Sequence, residues 1–446
     1  MKKIRFVLSV WVCKILIYLG KLMGKKGSAT PGAIAYKICP DVLRILSVKI
    51  SKGIIAVCGT NGKTTTNNII DKILTDKGFK VVCNNIGANM LSGVITAFIE
   101  KCDLKGNINY DYATLEMDEA FAVKIFEHLT PTVMVITNLF RDQLDRYGEV
   151  ELTANYLKGA LNLKKEVKLI VNGDDPVLFN IAKEHGNYLT FGVGQKSVSS
   201  YKDGEMKLCP KCSKKLSYEY YHYSHLGNFS CDNCGFNHPD LDFYAKDIDL
   251  SDGISFTVND DTKIALNYKG FYNVYNVLAA LSVIKTLGID FENINEVLSD
   301  YKPQVARMEA FNLKKKVILN LAKNPAGFNQ ALQTVMSDKA KKDIILAVND
   351  CESDGRDISW IWDVDFDSLK NQNVGSIGLC GMRKDELNVR LKYSEVNALY
   401  NTYDNIKEAI LDKLETDSDV LYVLVNYTVI FESQKILKEL EGKNNG

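Results

Sequence analysis

An α/β fold with a doubly wound, mostly parallel sheet, followed by a second α/β unit of Rossmann-like pattern, is predicted by three features of this 446-residue chain. Short apolar runs alternate with amphipathic stretches from residue 53 to about residue 173. A Gly-rich loop, GTNGKTT at 59–65, joins one apolar run to a helical pattern. After a linker-like stretch, KPQVARME at 302–309, the alternation resumes. The expected division is an N-terminal helix and lead-in over 1–48, a unit carrying the Gly-rich loop over 49–302 and a C-terminal unit over 303–446.

The chain opens on IRFVLSVWVCKILIYLGKLMGKK, an apolar run carrying Lys14 in its middle and Lys21, Lys25 and Lys26 behind it. It is too short and too interrupted for a membrane span, and GSATPG is a poor cleavage site for a signal peptide. The pattern fits an amphipathic helix, either packed on the protein or lying on a membrane surface.

IIAVC at 54–58 reads as a buried strand, and Ile69, Ile70, Ile73 and Leu74 return at helical spacing after the loop. Between them, Gly59 and Gly62 let the backbone approach phosphate oxygens, and the first N–H groups of the helix face the anion. Thr60, Asn61 and Thr65 complete the cradle. Lys63 offers an ammonium to the outer phosphates and Thr64 a hydroxyl to Mg²⁺. Val57 stands where the strict phosphate-loop pattern has a Gly, so the loop is a variant one for ATP.

KVVCN (80–84), YATLEM (112–117), TVMVITN (132–138) and KLIVNG (168–173) read as further strands, with helices expected over 119–129 and 150–162. In such sheets ligands bind at the strand C-terminal ends. Those ends carry Glu116 and Asp118, Asn138, and Asn172 and Asp174.

CPKC at 209–212 and CDNC at 231–234 interrupt the pattern. Two CxxC pairs match a four-thiolate structural zinc site at Cys209, Cys212, Cys231 and Cys234, within an insert over 205–238. His222, His225 or His238 could replace a thiolate, though nothing requires it. Zinc should act as a staple for a core-poor insert, its loss disturbing local order more than the ATP site. DLDFYAKDIDLSDGISFTV then returns to the first sheet, and 270–288 is a helix.

The composition sets limits. Hydrophobic content of 46% with 25% charged residues is that of a packed globular protein. Basic and acidic side chains balance at 55 each, so no global field attracts nucleic acid, and the modestly basic insert adds little to a zinc-ribbon nucleic-acid reading. Eleven cysteines, scattered or in CxxC pairs, point to a reducing cytoplasm and a metal rather than to disulfides.

In the C-terminal unit, KVILNLAKNP, DIILAVND, VGSIGLCG and DVLYVLVNYT are strand-like. GLCGM at 378–382 faintly resembles the nucleophile turn of a class I glutaminase. Such a Cys needs a His, and the five histidines (128, 185, 222, 225 and 238) all precede Cys380. The segment reads instead as a strand end and tight turn.

Together GTNGKTT (59–65), TNLFRDQLDRYGE (137–149), VNGDDP (171–176), GFYNVYNVLAA (270–280) and RME (307–309) resemble, in order, the Mur ligases of peptidoglycan synthesis and their folylpolyglutamate synthetase relatives. The resemblance implies ATP-dependent carbon–nitrogen ligation through an acyl phosphate. It implies a catalytic Lys63, Mg²⁺ held by Thr64 and Glu116, Asn138 near the γ-phosphate, and Asn276 and Arg307 on the nucleotide. Gln143 replaces a His usual in the family, and Ala160 replaces a Lys that many members carbamylate, with Lys158 out of register, which puts a second metal in doubt. The zinc insert and NDCESDGRDISWIWDVDFD (349–367) are similar to the branch of the family that amidates lipid II at the D-Glu α-carboxylate. That similarity implies ammonia from a GatD-like class I glutamine amidotransferase, with Asp357, or else Asp354, completing the partner's Cys–His pair. It also implies work on a lipid-linked substrate at the inner face of the membrane. The other readings are a ligase that adds an amino acid and a non-enzymatic zinc-ribbon scaffold.

Overall fold

The computed structural model describes residues 2–23, 29–84, 88–142, 149–196, 206–251, 253–267, 270–290, 292–299, 308–370 and 373–444. Among these, GIIAVC forms β1 (Gly53–Cys58), buried from Ile54 onward. A strand with no polar side chain suits the centre of a sheet covered on both faces. Its neighbours are β3 (Tyr112–Glu116) and β4 (Val133–Ile136), both parallel. β2 (Val81–Cys83) closes one edge, while β5 (Lys168–Asn172) and β6 (Tyr188–Val193) continue on the other side. The segment after the insert supplies β10 (Phe243–Asp249), β11 (Ile254–Val258) and β12 (Thr262–Leu266), giving the order β12-β11-β10-β6-β5-β4-β1-β3-β2. β11 runs antiparallel to both of its neighbours, β10 and β12. Strand order reverses at β1, the topological switch point where such sheets bind ligands.

One face of the sheet is covered by α4 (Lys63–Asp76) and the helix Tyr272–Thr286, whose residues are buried almost all round. The other face carries α5 (Leu91–Lys101), α6 (Ala122–Phe126) and the helix Val150–Leu163. The N-terminal helix α1 (Lys2–Leu22) lies against α2 (Thr30–Ile38) and α5 through Phe6, Val10, Cys13 and Ile17. Trp11 Nε1 donates to Leu104 O at 2.7 Å, and Lys21 pairs with Glu100 at 2.8 Å. One face of α1 is therefore packed on the protein. The short α3 (Val42–Ser47) leads into β1.

The insert is a separate antiparallel sheet, β7 (Ser217–Tyr223), β8 (Leu226–Cys231) and β9 (Phe236–Asn237). The C-terminal sheet has the order β13-β14-β18-β15-β16-β17, from β13 (Glu309–Asn312), β14 (Lys316–Leu321), β15 (Lys342–Ala347), β16 (Val374–Cys380), β17 (Leu399–Thr402) and β18 (Val420–Val425). Only β13 runs antiparallel to its neighbour. The apolar runs of β14, β15, β16 and β18 are legible in the sequence. The polar edge strands β13 and β17 are not, because their pairing comes from neighbours rather than from their own pattern.

Candidate active site

The loop between β1 and α4 is shaped by two glycines. Gly59 has φ +121°, and a Cβ there would meet Thr137 Oγ1 at 2.2 Å. Gly62 has φ +86°, and its Cβ would meet Asn276 Oδ1 at 2.0 Å. Both positions exclude side chains on conformation and on space. Asn138 clamps the loop: its Oδ1 accepts from Asn61 N at 2.9 Å and its Nδ2 donates to Asn61 O at 3.0 Å. Thr60 N donates to Asn138 O, and Thr60 Oγ1 to Phe140 O.

Lys63 Nζ donates to Gly59 O at 2.6 Å and to Glu119 Oε1 at 3.0 Å. Gly59 N donates to the same carboxylate oxygen at 2.8 Å. Burial alone would lower the Lys63 ammonium, but the carboxylates of Glu119, Glu116 and Asp118 outweigh it and hold the group above its ordinary value. An anion therefore already sits on the donors expected to take a phosphate oxygen, which is the chemistry the loop needs. Next to it, Thr64 Oγ1 donates to Glu116 Oε2 at 2.8 Å, a pair of hard oxygens suited to Mg²⁺. The register Val57↔Glu116 between β1 and β3 brings Glu116 to the loop.

Sequence reasoning missed Glu119. Its signal was the third carboxylate of EMDE, assigned to a helix over 119–129. That helix is shorter, beginning at Ala122, because residues 117–121 turn to bury the Glu119 side chain against the loop.

A cleft opens between the two sheets. Asn61, Gly62, Thr65, Asn138 and Asn276 line one side, and Asn320, Lys323, Asn324 and Gln330 the other. Asn61 and Asn324 exchange side-chain hydrogen bonds at 3.3 and 3.2 Å across it. Lys323–Asp142 at 2.6 Å and Arg141–Asp363 at 3.2 Å tie the FRD segment to the C-terminal half. Arg307 and Gln143 lie outside the described residues. Ala160 is buried in the apolar core, and Lys158 pairs at the surface with Glu184 at 2.8 Å.

The four cysteine sulfurs lie within 4.8 Å of one another. Cys209–Cys234 and Cys212–Cys231 stand at 3.7 and 3.6 Å. Tetrahedral zinc–thiolate bonds place sulfurs about 3.8 Å apart, so the four residues fit zinc. The three histidines are engaged elsewhere. His238 Nε2 is 2.7 Å from Asp174 Oδ1, His222 Nε2 is 3.8 Å from Oδ2, and His225 Nε2 is 3.4 Å from Asp175 Oδ2. Tyr275 Oη donates to Asp174 at 2.6 Å. Asp175 in turn caps the helix Pro176–His185. The VNGDDP carboxylates thus fasten the insert to the sheet.

This docking brings Tyr223, at the end of β7, into the lining of the cleft beside Tyr272 and Asn276. Its ring packs on Phe140, Phe271 and Tyr275. One end of the insert's hairpin is consequently a wall of the cleft, while the cysteine knuckle lies at its other end, beside the Ser217–Ser230 pairing. Stripping zinc with a chelator is expected to weaken nucleotide binding as well as loosen the insert. Tyr223→Ala should raise the Kd for a fluorescent ATP analogue about fivefold, the worth of one aromatic contact of ~1 kcal/mol. Unchanged affinity after both treatments would separate the insert from the nucleotide.

In the C-terminal half, Asp354 is buried and accepts from Thr428 N at 2.9 Å and Oγ1 at 2.6 Å. Asp357 is half-buried and accepts from Ser359 N at 2.8 Å and Oγ at 3.0 Å. Trp360 is buried, whereas Trp362 is half exposed against Tyr393. Cys380 is buried at the end of β16, burial pushing its thiol up to about 12, and Gly381 turns with φ +86° behind it.

A phosphate loop at the switch point of a parallel sheet, facing a second α/β unit across a polar cleft, defines an ATP-dependent ligase of the Mur type. Residues 57–234 match the Mur ligase middle domain and residues 321–430 the MurT ligase C-terminal domain. The chain is 34% identical over 391 residues to the lipid II isoglutaminyl synthase (glutamine-hydrolyzing) subunit MurT of Staphylococcus aureus (strain N315), covering 87% of this chain and 88% of that one. The subunit of the same name from Streptococcus pneumoniae (strain ATCC BAA-255 / R6) is 33% identical over 418 residues, 92% of each chain. A pseudomurein peptide ligase type C from Methanothermus fervidus superposes with a TM-score of 0.71 at 25% identity, covering 89% of this chain and 80% of that one. The chain belongs to the MurT family of Mur ligases.

Proposed function

We propose that this chain is the ligase subunit of a lipid II isoglutaminyl synthase, converting the D-Glu α-carboxylate of the lipid II stem peptide to the amide. On this reading residues 49–302 bind ATP, residues 303–446 complete the cleft, and the nitrogen comes from a GatD-like class I glutamine amidotransferase. The lipid-linked substrate brings the cytoplasmic enzyme to the inner face of the membrane. The observation that carries the proposal is the convergence of Lys63 Nζ and Gly59 N on one carboxylate oxygen in the loop between β1 and α4, together with the kinship above.

In the reaction the substrate carboxylate attacks the γ-phosphorus of ATP and ADP leaves, giving an acyl phosphate. Ammonia then attacks the acyl carbon, inorganic phosphate departs, and the nitrogen loses a proton to become the amide. Lys63 and the loop N–H groups balance the charge that develops on the γ-phosphoryl oxygens. Thr64 and Glu116 would hold Mg²⁺, which shields the phosphates from the incoming carboxylate. Asn138 keeps the loop in shape, and Asn276 and Arg307 contact the nucleotide. Cys209, Cys212, Cys231 and Cys234 would hold zinc in a closed site that leaves no open position for the chemistry.

The test is an amine panel. With ATP, Mg²⁺ and lipid II, ammonium should stimulate ADP release and convert one carboxyl to an amide, and amino acids should not. Stimulation by an amino acid with none by ammonium would assign a peptide-bond-forming ligase instead.

A further inference from the structure

α1 has two apolar faces, and only one is covered. Phe6, Val10, Cys13 and Ile17 face the protein. On the opposite side Ile4, Leu8, Trp11, Ile15, Tyr18 and Leu22 recur at helical spacing and are about half or more exposed, from Leu8 at 49% to Ile4 at 72%. At 3.6 residues per turn these six fall within an arc of about 80°. The charged residues of α1 are Lys2, Lys3, Arg5, Lys14 and Lys21, with no acid among them. On the same helical projection Arg5 borders one edge of the arc, and Lys3, Lys14 and Lys21 border the other. Arg5 and Lys14 are tied to the backbone of neighbouring segments, at Ile38 O and Glu100 O, and Lys21 is paired with Glu100, which leaves Lys3, Arg5 and Lys14 as the net positive charge of edges that are set in place.

Two kinds of cover fit a stripe of this width. A second copy would bring basic edge against basic edge, which is repulsive in a helix pair. An anionic bilayer surface matches the edges by charge and takes the apolar arc below the headgroups, with Tyr18 at the depth that amphipathic aromatics favour and the half-exposed Trp11 ring held in place by its bond to Leu104 O. No helix among the described residues is long and apolar enough to cross a membrane, so this contact lies in the plane of the interface.

We infer that the outward face of α1 is a docking surface for an anionic membrane, holding the ligase where its lipid-linked substrate is embedded. The inference rests on the proposed substrate for its purpose, but the surface can be tested without it. The full chain should cosediment with vesicles of phosphatidylglycerol and phosphatidylcholine, bind pure phosphatidylcholine weakly, and release as salt is raised. Ile15→Glu with Tyr18→Glu should weaken partition about tenfold or more, with an unchanged melting temperature and unchanged ammonium-dependent turnover of a water-soluble stem peptide. Lys2→Glu with Lys3→Glu, which leaves the apolar arc intact, should lose selectivity for anionic vesicles. Absence of vesicle binding overturns the inference. So does a concentration-dependent dimer, or capture of the glutaminase partner, that the Ile15→Glu/Tyr18→Glu variant abolishes. Loss of soluble-peptide turnover in the wild-type chain would count against the proposed function and leave vesicle binding as a separate result.

Discussion

Lys63→Ala is expected to lower ATP-dependent amidation by roughly 10²–10³-fold, the scale on which one preorganised donor to developing charge acts. The side chain is 13% exposed and approaches Glu119 from a buried position, so its charge acts with little solvent screening. The variant also leaves Glu119 with one donor fewer, and that cost must be separated from catalysis. Burial pushes the Glu119 carboxyl up, but Lys63 and the neighbouring N–H groups outweigh burial and hold it below its usual value. A carboxyl lowered by folding stabilises the protein above its unfolded pKa of about 4.3 and loses that contribution as pH falls through the folded value. At neutral pH the contribution is present, so Lys63→Ala should also melt earlier. Pairing it with Glu119→Gln removes the stranded charge. The double variant should regain melting temperature yet remain inactive in ADP release. Near-normal amidation by either variant would take the loop out of the mechanism.

Asp357→Asn is expected to abolish glutamine-dependent amidation while preserving activity with added ammonium. In a glutaminase, a third, acidic group orients the His of the Cys–His pair. The C-terminal unit has no His in its sequence and Cys380 is buried, so on the proposed reading the hydrolytic pair belongs to the partner. Asp357 precedes, in the same segment, the half-exposed Trp362, a residue type that anchors interfaces. Asp354 is held inside by Thr428. Asp354→Asn should therefore reduce stability with either nitrogen source, without separating the two. The measurement is the ratio of glutamine- to ammonium-supported rates in the complex. Equal losses with both sources for Asp357→Asn would place it in the ligase site, and no loss would leave it a surface turn residue.

Much of this protein is written in local spacing. The phosphate loop needs only a strand, two glycines, a Lys and a helix start, all within 17 residues from Ile54 to Ile70. The cysteine pairs fix a metal knuckle by their own separation, and the apolar runs of both sheets announce buried strands because burial on two faces tolerates nothing else. Local pattern also placed Glu116 at a strand end. It could not decide what the next carboxylate does: Asp118 and Glu119 differ by one position, and only the turn before α6 aims Glu119 at the loop. The same limit governs the insert. His222, His225 and His238 look like spare metal ligands in sequence, but Asp174 and Asp175 claim them once β5 and the insert meet. Tyr223 becomes part of the cleft through that docking. Asn61 and Asn324 meet across 263 positions, a contact that no periodicity encodes. For α1 the sequence by itself determined an amphipathic basic helix. The tertiary structure decided which apolar face is covered, because α2 and α5 take up one side and leave the other to solvent. Spacing along the chain thus set the elements and their chemical endowment. The partners of Glu119, Tyr223 and Asn324 were set by how those elements pack, since a side chain's charge partner is chosen by distance in space and not by distance in sequence.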